Sequence, residues 1–270
     1  MTNGANLRSN AKKANDTENN SNSNNSIPAF LSKSFLYRTI HDAGHDLKSP
    51  LFVIRGYSQL LQRVDDKDAI NRGIKLMEEA SYKMEYTVNG LVELMDIYTA
   101  PNTEKENNKL ASTIEKVSAN LSNTFENIGT VLSHNIDDNV NVFFDKSFLK
   151  TILSCVVDNA IRHNQDQENL KVYISYNQLT DGSAVLEIED NGKGIDMNTE
   201  QQKLRKPFYK FSESAEAVGI GLAKVEAVAQ VTNNKFTIDS GIGKGTICSF
   251  YFKNQVGPAK EIKGESRQAQ

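Results

Sequence analysis

Two cysteines in 270 residues, Cys155 and Cys248, are too few and too far apart for a disulfide framework, and they match no metal-ligating spacing. They read as reduced thiols. No apolar run approaches the roughly 18–20 residues needed to cross a bilayer, and the N-terminus lacks the apolar core of a secretion signal. These absences predict a soluble, cytoplasmic chain. An excess of charge of one sign is also missing: 31 Lys and Arg against 34 Asp and Glu leave a net charge of −3. That offers no bulk electrostatic case for nucleic acid or an anionic membrane. What is present is 38% hydrophobic and 24% charged residues, which supports a sizeable core and excludes a wholly disordered chain. At about 150 residues per domain, the length predicts one or two domains.

The first 30 residues are rich in Asn, Ser, Lys and Asp and cannot bury enough apolar surface to offset their ordering entropy, so they read as a disordered tail. Residues 255–270 read as a second flexible end. Residues 31–100 carry a long helical pattern. Ile70, Ile74, Met77, Ser81, Met84, Val88, Leu91, Met95 and Tyr98 recur at alternating spacings of four and three, and Ile40, Leu47, Leu51, Ile54 and Leu61 keep the same register. Asp65-Asp66-Lys67-Asp68 is a polar turn between them, with Asp68 as the expected N-cap. The pattern predicts an antiparallel helical hairpin. A lone hairpin leaves half of each seam wet, so two hairpins closing a four-helix bundle in a homodimer are expected. Residues 101–109 read as a polar linker. Residues 110–254 mix helices (near 110–127, 146–164 and 221–231) with strands (near 129–136, 140–144, 170–177, 184–189, 235–239 and 246–252). Interspersed without strict alternation, these predict an α/β sandwich of helices on one mixed sheet.

Chemistry concentrates in a few places. His45 and Ser49 lie one helical turn apart, off the apolar seam, next to Asp46 and just before Pro50. Pro50 removes a helical hydrogen bond from the carbonyl of Asp46, at a cost of roughly 3 kcal/mol, and should bend the helix. A neutral imidazole beside a carboxylate is a competent nucleophile; a solvated surface histidine beside a kink fits the segment equally well. Further on, the strand ending in Glu189 runs into Asp190-Asn191-Gly192-Lys193-Gly194-Ile195, where two glycines permit close approach of a ligand and Asp190 suits an exocyclic amine. Ordinary turn chemistry accounts for the same residues. Gly219-Ile220-Gly221-Leu222 opens a helix and offers N–H groups to phosphates. Asn159, polar among apolar neighbours, can reach a metal or be a satisfied buried amide. His41, one turn before His45, lacks a third ligand nearby and reads as a surface residue.

Taken together, these segments resemble the bacterial sensor histidine kinases. The stretch from His45 is similar to their phosphoacceptor motif, usually written His-Glu-Leu-Arg-Thr-Pro-Leu. The later part resembles the ATP-binding domain that those kinases share with gyrase, Hsp90 and MutL. Asp158-Asn159-Ala160-Ile161-Arg162 matches the Asn box and Asp190 to Ile195 the first Gly box. Pro207-Phe208-Tyr209-Lys210 is similar to the Phe box, Gly219 to Leu222 to the second Gly box, and Gly243-Lys244-Gly245-Thr246 to the third. The match covers roughly residues 35–253 in the family's order.

The resemblance implies that His45 is the phosphorylated nucleophile, Asp46 its acidic partner, and Ser49 the residue that positions water for dephosphorylating a partner. It implies that Asn159 ligates Mg²⁺, and that Arg162 and Lys210 contact the phosphates of ATP. It also places Asp190 on the adenine amine, supported by Thr246, with Gly192, Gly194, Gly219, Gly221 and His163 around the nucleotide. The phosphoryl group would pass to an aspartate on the receiver domain of a response regulator. The linker would let the ATP domain swing onto His45, and a lid over residues 209–218 would exclude water. Only about thirty residues precede the hairpin, too few for a sensor domain, so the signal is expected from a partner, the tail or a separate sensor.

The chain also departs from the pattern. Cys155 stands where the family's first Asn-box residue is usually Asn, His163 where it has Tyr, Arg205 where it has Phe, Lys210 where Arg is common, and Ala217 where Gly is usual. A phosphotransferase or phosphatase with weak kinase activity therefore stays open as an alternative, as does a non-catalytic dimer that docks a regulator.

Overall fold

The computed structural model describes residues 32–100, 104–125, 131–210, 218–253 and 255. Both terminal tails, most of the lid segment and Ala217 lie outside these residues. The hairpin consists of α1 (Lys33–Leu60) and α2 (Lys67–Thr99), joined through a 3₁₀ turn at Leu61–Arg63. Helix α1 is capped by Ser32, whose hydroxyl accepts from the Phe35 N–H at 3.2 Å. It continues through Pro50, which is buried. The cap of α2 is Asp66 and not Asp68: its Oδ1 accepts from the Asp68 N–H at 2.9 Å. Both aspartates suit a cap; extended backbone at Asp66 selects it.

Where the arms meet, the buried positions are mostly small. Thr39, Ala43 and Pro50 on α1 and Gly73, Ala80 and Thr87 on α2 are buried. Several of these immediately precede a residue of the expected apolar seam, and one residue is a rotation of about 100° on a helix. The large seam residues therefore flank the contact. Ile40, Leu51, Ile74 and Val88 are exposed, while Leu47, Ile54, Met77 and Met84 are half-buried. A Cβ on Gly73 would approach the Leu61 side chain to 2.9 Å, so the arms approach closely because that position is glycine.

The second unit opens with β1 (Glu106–Lys109), inside the expected linker. It pairs antiparallel with β3 (Asn141–Phe144) in a two-stranded ribbon. The strand eluded the sequence because it has no apolar alternation. Its one buried side chain is Asn108, whose Nδ2 donates to the Phe144 carbonyl at 2.8 Å. The main sheet has the order β2-β4-β5-β7-β6, with β2 (Val131–His134), β4 (Lys171–Gln178), β5 (Ala184–Asp190), β7 (Thr246–Phe252) and β6 (Lys235–Ser240). Only β2 and β4 are parallel. The expected single sheet is thus a sheet and a separate ribbon.

Helices α3 (Leu110–Phe125), α4 (Lys146–Arg162) and α6 (Gly221–Val231) pack with it, and α5 (Met197–Glu200) is a single turn. The core is apolar and aromatic, with Phe144, Phe250 and Phe252 mutually packed at centroid distances of 4.9–5.9 Å. Gln255, expected in the flexible end, is held in place: its Oε1 accepts from the Phe143 N–H at 3.0 Å.

Candidate active site

A pocket opens between α4, the loop after β5, the start of α6 and the end of β7. Asn159, Arg162, His163, Asp190, Gly194, Lys210, Gly219, Gly221 and Thr246 all line it. The topology explains the convergence: β5 and β7 are paired so that Asp190 stands opposite Thr246. Asp190 is buried, and its Oδ1 accepts from the Gly192 N–H at 2.8 Å. Gly192 therefore serves the site through its backbone. Burial pushes the Asp190 carboxyl above its ordinary value, against the opposing pull of backbone N–H groups from Gly192 and Thr246.

Two glycines that line the pocket require close backbone approach. Gly194 has φ +69° and lies against the Gly241 carbonyl, and Gly219 has φ +74° and lies against the Tyr209 carbonyl. Any side chain there would overlap backbone. Phe208, buried beside this crossing, itself adopts φ +63°, a conformation rare for a non-glycine residue. Ser240 ties the loops together: its hydroxyl accepts from the Ile195 N–H at 2.9 Å and donates to the Gly245 carbonyl at 2.7 Å. Asn164, missed in the sequence, is buried with both ends satisfied, donating to the Ala160 carbonyl at 2.8 Å and accepting from the Lys193 N–H at 2.9 Å.

The cations are already engaged. The Arg162 Nε–H is shared between the Asp158 oxygens at 2.9 and 2.8 Å, and its guanidinium lies 5.8 Å from the ring centre of Tyr86. Tyr86 comes from α2 and also lines the pocket. Lys210 donates to Asp46 Oδ2 at 2.5 Å, bringing the pocket to the residue beside His45. His45 itself is 80% exposed, with Nδ1 3.9 Å from Asp46 Oδ1, and Ser49 is exposed on the same helix. Neither lines the pocket; Asp46 reaches it through Lys210.

One family model, several curated proteins and several solved structures match this chain. Residues 144–256 match the model described as histidine kinase-, DNA gyrase B-, and HSP90-like ATPase. The methanogenesis regulatory histidine kinase FilI of Methanothrix harundinacea is 25% identical over 79% of this chain, and the histidine-protein kinase ArlS of Staphylococcus aureus 26% over 88%. Residues 144–256 belong to the histidine kinase-, DNA gyrase B-, and HSP90-like ATPases, and the chain as a whole is similar to sensor histidine kinases.

The matched residues form an ATP-binding domain. The chain spans 24% of FilI and 53% of ArlS. In fold, the Acinetobacter baumannii histidine kinase AdeS superimposes with a TM-score of 0.60 at 20% identity, covering 79% of this chain and 98% of that one. ThkA, solved in complex with the response regulator protein TrrA, gives 0.64 at 16% identity, covering 81% and 62%.

The departures from the family pattern acquire physical form here. Burial pushes the Cys155 thiol up to about 11, so it stays neutral at pH 7 and offers no hard ligand. Beside it, burial opposes the charge on Lys224, yet its neighbours raise it overall. At neutral pH Glu93 holds that charge, bonded to it at 2.5 Å. Burial lowers His163, keeping the imidazole neutral, and its buried Nδ1 has no protein partner among the described residues. Arg205 faces Glu226 at 3.6 Å and stacks over Phe236. Among the described residues no cluster of three His, Cys, Asp or Glu side chains can hold a metal. Asn159 in the pocket fits a hard cation held chiefly by phosphate oxygens. No helix among the described residues is long and apolar enough to cross a membrane.

Proposed function

We propose that this chain is a homodimeric histidine kinase that autophosphorylates His45 from Mg-ATP and passes the phosphoryl group to an aspartate of a response-regulator receiver domain. The observation that carries the reading is the ion pair from Lys210, which lines the pocket, to Asp46, the neighbour of the exposed His45. In the transfer a ring nitrogen of His45 attacks the γ-phosphorus. The bond to the β,γ-bridging oxygen breaks, ADP leaves, and the ring proton passes to Asp46 or to water. Asp190 accepts from the adenine amine, with Thr246 in support. The N–H groups at Gly219 and Gly221, opening α6, face the phosphates, joined there by Arg162 and Lys210. Asn159 would hold Mg²⁺, which would supply charge neutralisation. Ser49, one turn from His45, positions water for removing phosphate from the regulator. Exposed apolar side chains along the hairpin favour a second copy closing a four-helix bundle.

The test is incubation with γ-labelled ATP and Mg²⁺ beside His45→Ala and Asn159→Ala. Acid-labile, base-stable label on the native chain and on neither variant is expected. No label despite ATP binding overturns the kinase reading. Cys155, a neutral thiol at the edge of the pocket, favours a second reading, a phosphotransferase or phosphatase with slow ATP turnover. That reading predicts dephosphorylation of a phosphorylated regulator by a chain that labels poorly.

A further inference from the structure

We infer that autophosphorylation runs within one chain, the ATP-binding domain serving the histidine of its own hairpin; this rests on the kinase reading above. The domain is seated on both arms of the hairpin to which it is joined. On α2, a Cβ on Gly90 would meet the Ile220 side chain at 2.9 Å, so Ile220, which caps the phosphate-facing helix, packs into a notch that only glycine leaves open. Lys224 bonds Glu93 at 2.5 Å, one turn further along. Leu94, Ile97 and Tyr98 are buried in the same core as Val225 and Val228 of α6, and the Tyr98 hydroxyl donates to Gln230 Oε1 at 3.4 Å. An interface with a continuous apolar core resists the free reorientation expected of loosely linked domains.

That seat decides which histidine the pocket meets. Asp46 and Tyr86 each lie twenty residues from Asp66 on opposite arms of an antiparallel hairpin, and therefore at the same height. Tyr86 lines the pocket and packs under Arg162, while Lys210 from the same pocket bonds Asp46. Two independent contacts, one on each arm, thus place the pocket mouth at the level of His45 of the same chain. In a two-fold bundle only one α1 helix can lie against Lys210, and here it is the chain's own. The γ-phosphoryl group then moves from ATP to the imidazole of the chain that binds the nucleotide, leaving ADP in that chain's pocket.

The experiment uses full-length heterodimers purified through two different tags and incubated with γ-labelled ATP and Mg²⁺. One pairs His45→Ala with Asn159→Ala. The other pairs the native chain with a chain carrying both substitutions. Transfer within a chain labels the second at about half the native homodimer's level and leaves the first blank, since each half of a symmetric dimer acts alone. Label on the first and none on the second overturns the inference. An unlabelled native homodimer instead overturns the kinase reading itself. Should the chain be a monomer in solution, a labelling rate per chain that is unchanged by dilution supports the inference, and one that falls in proportion to concentration overturns it.

Discussion

Among the described residues, eleven large apolar side chains are left exposed on the hairpin, from Tyr37 to Val92, and four on the ATP-binding domain. The domain buries Phe144, Phe250, Phe252 and a dozen aliphatic neighbours almost completely. The hairpin buries mainly Thr, Ala, Gly and Pro where its arms meet, and its larger buried residues, Leu94, Ile97 and Tyr98, are covered by the domain. One region is a finished core. The other is half of one, completed at its lower end by the domain and open along the rest. The difference teaches where stability resides: folding energy belongs mostly to the domain, while the hairpin leaves most of its large side chains on the surface.

Truncation should expose that contrast most sharply. Phe250→Ala is expected to lose roughly 3–5 kcal/mol in denaturant unfolding, by removing a fully packed ring. Phe52→Ala, at 68% exposure, is expected to stay within about 0.5 kcal/mol. Equal losses would erase the distinction. Next in size, Asp190→Asn should weaken ATP binding about 100-fold, equivalent to roughly 2.7 kcal/mol, because it replaces the acceptor proposed for the adenine amine with an amide that can turn a donor to it. Calorimetry reads this, and the oligomeric state should not change.

Leu51→Asp and Ile74→Asp act on the other region. Each removes a seam side chain whose burial contributes about 1.5–3 kcal/mol, felt twice in a two-fold bundle. Sedimentation should show monomers that still bind ATP normally; persistent dimers would break the bundle reading. At the join of the two regions, Gly90→Val should collide with Ile220 and unseat the domain. Labelling of His45 is expected to fall about tenfold, the equivalent of roughly 1.4 kcal/mol. ATP affinity should hold.

The smallest effect is on pH dependence. Because burial raises the Asp190 carboxyl, it protonates at a higher pH than an exposed aspartate of 3.8. ATP affinity should therefore begin to fall on acidification before ordinary carboxylates titrate. Titration of ATP binding from pH 8 downward, with Asp190→Asn as the flat control, measures it.

Much of this was legible in the residues. Alternation in Ile247 to Phe252 marked β7, whose period is set by a face turned to the core, and the four–three spacing from Ile70 marked α2, although its buried face lies one residue earlier, at Gly73, Ala80 and Thr87. Glycines at 194 and 219 were identifiable because backbone lies where a side chain would stand. Strand β1 was not legible, since an edge ribbon of Glu, Asn and Lys satisfies its backbone without an apolar face. Nor were Tyr86 and Glu93, which sit among ordinary exposed residues on α2 and gain meaning only from what is packed against them.

Local order therefore came from the sequence alone. Helical and strand periods, the boxes around Asn159, Asp190 and Gly219, and the histidine set off the apolar seam all depend on neighbours within a few turns or on backbone geometry. The seating of the ATP-binding domain was decided by the tertiary structure. Gly90 against Ile220, Glu93 with Lys224 and Lys210 with Asp46 join residues more than a hundred positions apart. No periodicity spans that distance; such pairs form only when two apolar surfaces meet and bring their charges with them.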